Sequence, residues 1–285
     1  MKARFTWLCL LPVLMLAASA QAQIQTNPTQ VDDAEIDVVQ GPLVKGEPFE
    51  YSTGGETYQG YLARNVNDKT PRPAVLIVHE WWGLNDYARR RADQLAALGF
   101  VALAVDMYGQ GQVATHPDEA GAFSSQVMQD WPAARARLEA AMTKLSEHPA
   151  VADTGMAAIG YCFGGGIVMN MALSGMPIEA AISFHGSPTR AVKNPQSFGG
   201  VVQIHNGAED PLVEREALMD MAKALEAQGA EVKVVHYPGA THGFTSPEAD
   251  EVAEEYGLPL GYNAAADAAS WQAALLALDE ALNDN

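Results

Sequence analysis

A cysteine set between glycines is the first place in this chain where chemistry is legible. Residues 158–166 read A-I-G-Y-C-F-G-G-G, so Gly160 and Gly164 stand two before and two after Cys162. This is G-x-nucleophile-x-G spacing, with cysteine where serine is usual. A nucleophile held in a sharp strand-to-helix turn brings its flanking residues so close that side chains there would clash. The same turn aims the first N–H groups of the following helix at the sulfur, which favours an anion there. A thiol needs a base, and the base needs an orienting group. H-N-G-A-E-D-P at 205–211 offers Asp210, and P-G-A-T-H-G-F at 238–244 offers His242, each after an apolar run. Each residue also has a plain structural reading: a buried thiol acting as a small hydrophobe, an aspartate capping a helix after Pro211, a loop histidine. Nucleophile, acid and histidine in this chain order read together as a Cys162–His242–Asp210 triad for covalent acyl transfer.

H-E-W-W-G-L-N at 79–85 closes another apolar run. Zinc binding through H-E-x-x-H would need a histidine at position 83, which is Gly83, so no metal is expected, and no organic cofactor is implied. The turn is suited instead to lend a backbone N–H to an oxyanion hole. Trp81 and Phe163 are the expected donors, each worth ~3 kcal/mol of barrier. Trp82 and Tyr108 are expected at the mouth of the site as substrate contacts, with ordinary packing as the alternative for Trp82. His185 and His205, at strand ends, read as structural. Arg89, Arg90 and Arg91 read as a solvated helix face with ion pairs.

These residues need a scaffold, and the chain alternates in a way that supplies one. Continuous apolar runs at 74–78, 100–105, 156–161, 180–185 and 201–205 have the pattern of strands buried on both faces, and 231–237 adds another. Helical stretches are expected at 85–99, 118–147, 165–173, 213–228 and 263–282, and a hairpin around Gly54-Gly55 at 49–63. Alternation of this kind predicts an α/β fold: a twisted, mostly parallel sheet of about seven to eight strands with helices on both faces. Residues 186–200 and 246–262 read as surface excursions, and 107–131 could cover the cleft.

The set H-E-x-x-G-x-N, D-x-Y, G-Y-C-x-G-G, a late G-x-x-D and a final H-G-F resembles the dienelactone hydrolase family of α/β-hydrolases over about residues 55–280. The resemblance implies an α/β-hydrolase fold and hydrolysis of a small ester or lactone. It also implies that Glu80 contacts the resting thiol and helps to generate the thiolate when substrate binds. Members that open dienelactone carry arginines that grip the substrate carboxylate. Here Asp106-Met107-Tyr108 runs into Gly109-Gln110, and Gly243-Phe244-Thr245-Ser246-Pro247 follows His242. Neither segment holds an arginine, so dienelactone itself is not the expected substrate.

The ends and the charge set the context. Lys2 and Arg4, an apolar run over 5–18 and small-x-small patterns at 18–22 predict a signal peptide over residues 1–22 and an exported protein, periplasmic or secreted. An uncleaved anchor is the alternative, and the apolar run is short for a span. Residues 23–48 read as a flexible leader that could carry an edge strand, and 49–285 as one domain. Without Cys9, Cys162 is the only cysteine, so no internal disulfide is expected. With 35 Asp+Glu against 17 Lys+Arg and a formal charge of −18, neither nucleic acid nor an anionic membrane surface is an expected partner. The expected partner is a small ester or lactone, bound by a monomer or homodimer. A thioesterase or acyl transferase on the same scaffold, and a hydrolase-like protein that only binds, are the competing functions.

Overall fold

In the computed structural model, which describes residues 41–283, the apolar runs become the inner strands of a single sheet. The elements follow in chain order as β1 (Val44–Thr53), β2 (Glu56–Asn65), β3 (Arg72–Val78), α1 (Asp86–Ala97), β4 (Val101–Val105), α2 (Pro117–Gln129), α3 (Trp131–Ser146), β5 (Val151–Tyr161), α4 (Phe163–Leu173), β6 (Ala180–Phe184), β7 (Val201–Gly207), α5 (Arg215–Glu226), β8 (Glu231–Tyr237), α6 (Ala249–Tyr256) and α7 (Ala264–Asn283). The eight strands lie in the order β1-β2-β4-β3-β5-β6-β7-β8. The two N-terminal strands pair antiparallel, β2 runs antiparallel to β4, and every other neighbouring pair is parallel.

Two apolar layers cover the sheet. On one face Leu138, Ile167, Val168 and Leu218 from α3, α4 and α5 pack on Leu76, Val78 and Leu103. On the other, Ala88, Leu95, Ala274 and Leu278 from α1 and α7 pack on Val75, Ile77 and Ile159. The chain leaves β3 toward β4 on one side and β5 on the other. The carboxyl ends of β3 and β5 therefore flank the crevice where open α/β sheets bind ligands.

The structure moves several boundaries. The first strand begins at Val44, inside the stretch read as leader and ahead of the expected domain start at 49. Its polar V-K-G-E-P opening suits an edge strand, where Pro48 removes no interior ladder bond. The helical stretch 118–147 is two helices, because the Asp130 side chain accepts from Ala133 N (3.2 Å) and starts a new helix with Pro132 in its first turn. The expected excursion 246–262 contains α6. Arg91 is buried rather than solvated. The signal peptide and residues 23–40 of the leader lie outside the described residues. Among the described residues no helix is long and apolar enough to cross a membrane.

Candidate active site

The turn between β5 and α4 holds Cys162 at φ 53° and ψ −114°. Its glycines answer to sterics. A Cβ on Gly160 would lie 2.1 Å from Gly164 O, and one on Gly164 would lie 2.1 Å from Val78 O at the end of β3. The turn can close against both α4 and β3 only with hydrogen at those two positions. Cys162 N donates to Phe184 O at 3.0 Å, which ties the strained residue to β6. The thiol is half-buried, so it is not sealed in the core.

Loops after β7 and β8 deliver the other two members. His242 Nε2 lies 3.1 Å from Cys162 Sγ, and Nδ1 lies 2.9 Å from Asp210 Oδ2. Both partners of that ion pair are buried, and the Asp210 side chain is fully so. Asp210 Oδ1 accepts from Leu212 N at 2.8 Å, while α5 starts only at Arg215, so Asp210 does not cap that helix. Burial pulls the His242 imidazole down, but the neighbouring sulfur and the hydrogen bond to Asp210 outweigh it and raise its pKa to about 10.

Glu80 lies at the end of β3 and lines a cavity with Cys162 and His242. Burial pushes its carboxyl up to about 7, against the pull of His242. Among the described residues its carboxylate makes no hydrogen bond to the thiol, although the two groups line the same cavity. The hydrogen-bond partner of the sulfur is His242.

The two backbone N–H groups expected as oxyanion donors, those of Phe163 and Trp81, are both without a protein acceptor among the described residues. Phe163 is the first residue of α4, where N–H groups lack an intrahelical acceptor. The Trp81 N–H belongs to the peptide whose carbonyl is Glu80 O. That carbonyl accepts from His79 Nδ1 at 2.5 Å and from Gly83 N at 3.2 Å. His79 Nε2 accepts from Met107 N at 3.3 Å, which assigns the proton to Nδ1. Burial lowers the His79 pKa to about 4, so the ring stays neutral. The histidine of H-E is therefore a backbone brace rather than a metal ligand. Among the described residues no cluster of His, Cys, Asp and Glu could hold a metal ion.

Tyr108 packs against this turn and lines neither of the two cavities at the sulfur. Its hydroxyl donates to Trp81 O at 2.8 Å, and its ring packs on His79 and Phe163. Asp106 fixes the segment by accepting four backbone N–H groups, from Gln59, Tyr108, Gly109 and Gly111, at 2.8–3.0 Å. Trp82 does line the cavity and packs between Trp81 and Tyr256.

A buried polar network lies behind His242. The His185 ring meets it edge-on with centroids 5.1 Å apart, and His185 Nε2 lies 2.8 Å from Thr245 Oγ1. The same Thr245 hydroxyl meets Tyr87 Oη at 2.6 Å. Arg91 donates to Thr245 O at 2.9 Å and pairs with Asp267 at 2.5 Å. These residues anchor the segment just after His242. Tyr87, Arg91 and Leu95 recur at i, i+4 on α1, and that spacing was the sequence signal for an inward-facing arginine. His205 is structural, held by Tyr237 Oη and Gln203 Oε1.

Two cavities meet at the sulfur, and Cys162 and Trp81 line both. One, of about 100 Å³, is walled largely by Leu212, Val252, Leu258 and Leu260 together with Glu80 and His242. The other, of about 320 Å³, is lined by Ser124, Ser125, Met128, Phe163, Ser187 and Thr189. Neither is lined by arginine or lysine. Residues 107–131 cover the site on the second side only, through α2; the first is walled by α6 and the loop after it.

The Dienelactone hydrolase family model matches residues 58–282. A protein of Aquifex aeolicus named "Putative carboxymethylenebutenolidase" is 29% identical over 213 residues, covering 73% of this chain and 90% of that protein. The solved structure called m3DLH superposes with a TM-score of 0.77 at 32% identity, covering 84% of this chain and 99% of its own. A dienelactone hydrolase-like promiscuous phosphotriesterase from metagenomic libraries superposes with a TM-score of 0.76 at 32% identity, covering 85% and 99%.

Proposed function

This chain belongs to the dienelactone hydrolase family, and from that premise we propose that it cleaves small, uncharged carboxylic esters or lactones through a thioacyl intermediate on Cys162. As a family member it is a carboxylic ester hydrolase; the nucleophile and the steps are this proposal. The relay of 2.9 Å from Asp210 to His242 and 3.1 Å from His242 to Cys162 at a strained turn is the observation that carries it.

His242, its pKa raised to about 10, lies 3.1 Å from the Cys162 sulfur and would take the thiol proton as the ester is attacked, leaving an imidazolium–thiolate pair. The sulfur attacks the ester carbonyl and a C–S bond forms. The carbonyl oxygen takes the electron pair as an oxyanion, facing the Trp81 and Phe163 N–H groups. When the C–O bond breaks, His242 Nε2 gives its proton to the leaving alcohol. A water then loses a proton to His242 and attacks the thioester. The C–S bond breaks, acid leaves and the ion pair returns. Asp210 holds His242 in the tautomer this requires. Glu80, its carboxyl raised to about 7 and set beside both groups, is suited to take up or release a proton as substrate enters.

That neither cavity is lined by arginine or lysine supports a neutral substrate over dienelactone, and the charge of −18 agrees. Export through residues 1–22 is part of the proposal, and N-terminal sequencing of the mature protein from fractionated cells tests it. The chemistry is tested by mass spectrometry after brief exposure to vinyl acetate. One acetyl group on Cys162, lost together with turnover in Cys162→Ala, is the expected result. Turnover that survives in Cys162→Ala would end the thiol mechanism.

A further inference from the structure

We propose that the two cavities divide the ester between them. A short apolar alcohol half sits in the chamber beside His242, and a neutral acyl half bearing hydroxyl or carbonyl groups lies in the groove beyond the oxyanion donors. The substrate class is then esters of small alcohols with hydroxylated, uncharged acids. This rests on the reading that Cys162 attacks and His242 protonates the leaving group.

The division follows from where the reacting atoms must go. Three groups on the tetrahedral carbon have fixed destinations besides the sulfur. The oxyanion faces the N–H groups of Trp81 and Phe163. The leaving oxygen must come within hydrogen-bond reach of His242 Nε2, since only that atom can give it a proton. The acyl substituent takes the remaining direction. His242 lines the small chamber and not the groove, whereas both oxyanion donors line the groove. The alkoxy half is therefore held in the chamber and the acyl half in the groove.

The walls then set the chemistry of each half. The chamber has about 100 Å³, lined by Leu212, Val252, Leu258 and Leu260. At about a third of the groove's 320 Å³, the chamber suits the smaller half of the ester. The Glu80 carboxyl on its wall opposes a negatively charged alcohol half. The groove, at about 320 Å³, presents four hydroxyls and no charged side chain. Ser187 Oγ and Thr189 Oγ1 bond each other at 2.9 Å. Ser124 Oγ donates to Ala120 O at 2.8 Å and keeps lone pairs free to accept. Ser125 makes no hydrogen bond within the described residues. Hydroxyls of this kind exchange water for a polar, neutral ligand at little cost, and offer nothing to bind a carboxylate as an ion pair.

The test is a matched set of esters followed by proton release. Methyl, propyl and hexyl 3-hydroxybutanoate vary the alcohol half; methyl butanoate and methyl 3,4-dihydroxybutanoate vary the acyl half. The hexyl ester is expected to fall at least about tenfold below methyl in kcat/KM, since pocket methylenes discriminate on that scale. The dihydroxy ester is expected to exceed methyl butanoate. Leu258→Ala should recover the hexyl ester without changing acyl preference. Leu212→Phe, at an exposed wall residue, should worsen the propyl ester instead. The double variant Ser187→Ala/Thr189→Val should erase the hydroxyl preference alone. Hexyl and methyl esters cleaved alike, or a Leu258 or Leu212 change that alters acyl preference, would overturn the division. Acylation of Cys162 by vinyl acetate is measured in every variant: if it and all turnover are missing in the wild type, the thiol mechanism itself has failed, whereas normal acylation with a reversed preference sinks only the division.

Discussion

Replacing His79 should slow acylation of Cys162 by esters while leaving alkylation of the same sulfur nearly unchanged. The reason lies in one peptide. The carbonyl of the Glu80–Trp81 peptide accepts from His79 Nδ1 at 2.5 Å, and the N–H on its other side is the proposed oxyanion donor. A hydrogen bond at the carbonyl end fixes the plane of the peptide and polarises its N–H. In His79→Leu that bond goes, and only Gly83 N at 3.2 Å still holds the carbonyl. The loss is bounded above by a whole oxyanion donor, ~3 kcal/mol, or about 10²-fold in kcat. In His79→Asn the side-chain amide can still donate to Glu80 O, so the expected loss is within about tenfold. The assay compares two rates on each variant: acylation by vinyl acetate, which develops an oxyanion, and alkylation by iodoacetamide, which does not. A selective fall in the first marks His79 as a positioning residue of the oxyanion hole. If both rates fall in parallel, His79 acts through placement of the thiol and the reasoning is wrong. It is also wrong if His79→Leu acylates at the wild-type rate. KM should change little in either variant, because the affected contact strengthens only as charge develops.

Asp210→Asn should keep the fold but lower kcat by about 10²-fold or more, since an amide no longer holds His242 in its working tautomer; steady-state rates at saturating ester read this. Glu80→Gln should change how stability depends on pH. The carboxyl, raised from 4.5 to about 7 in the folded protein, favours folding fully below pH 4.5, and that contribution is lost as pH rises through 7. Thermal unfolding of the wild type should therefore weaken across that window and the glutamine variant should stay flatter, with a difference of up to about 3 kcal/mol above pH 7. Arg91→Ala should cost about 3–5 kcal/mol by leaving Asp267 buried and unpaired, and Arg91→Lys should recover only part of it in urea unfolding. Gly164→Ala should give little folded protein, because its Cβ would meet Val78 O at 2.1 Å, where only backbone could move; circular dichroism of the soluble fraction checks this.

The elbow spacing and the order of Cys162, Asp210 and His242, which the fold brings together, were legible in the sequence because their requirements are local or ordinal. Glycine at 160 and 164 answers to a clash between the turn and its immediate neighbours. Asp210 and His242 follow Cys162 in the chain order that a sheet of this topology dictates, each just past a strand end. The inner strands were legible because burial on both faces leaves an unbroken apolar run.

What only the tertiary structure decided comes from segments far apart in the chain. Arg91 looked like one of three solvated arginines, yet it reaches Thr245, 154 residues on, and braces the segment carrying His242. Tyr108 has the composition of a substrate contact, but its hydroxyl is taken by Trp81 O, which packs it against the oxyanion turn. The chamber beside His242 is walled by α6 and Leu260, within a stretch that reads as polar surface because its few apolar residues are spaced among acids. Local sterics and chain order are properties of the sequence alone. The shape of a cavity, and the burial of a charge, depend on which distant surfaces come to face each other, and no spacing within one segment encodes that.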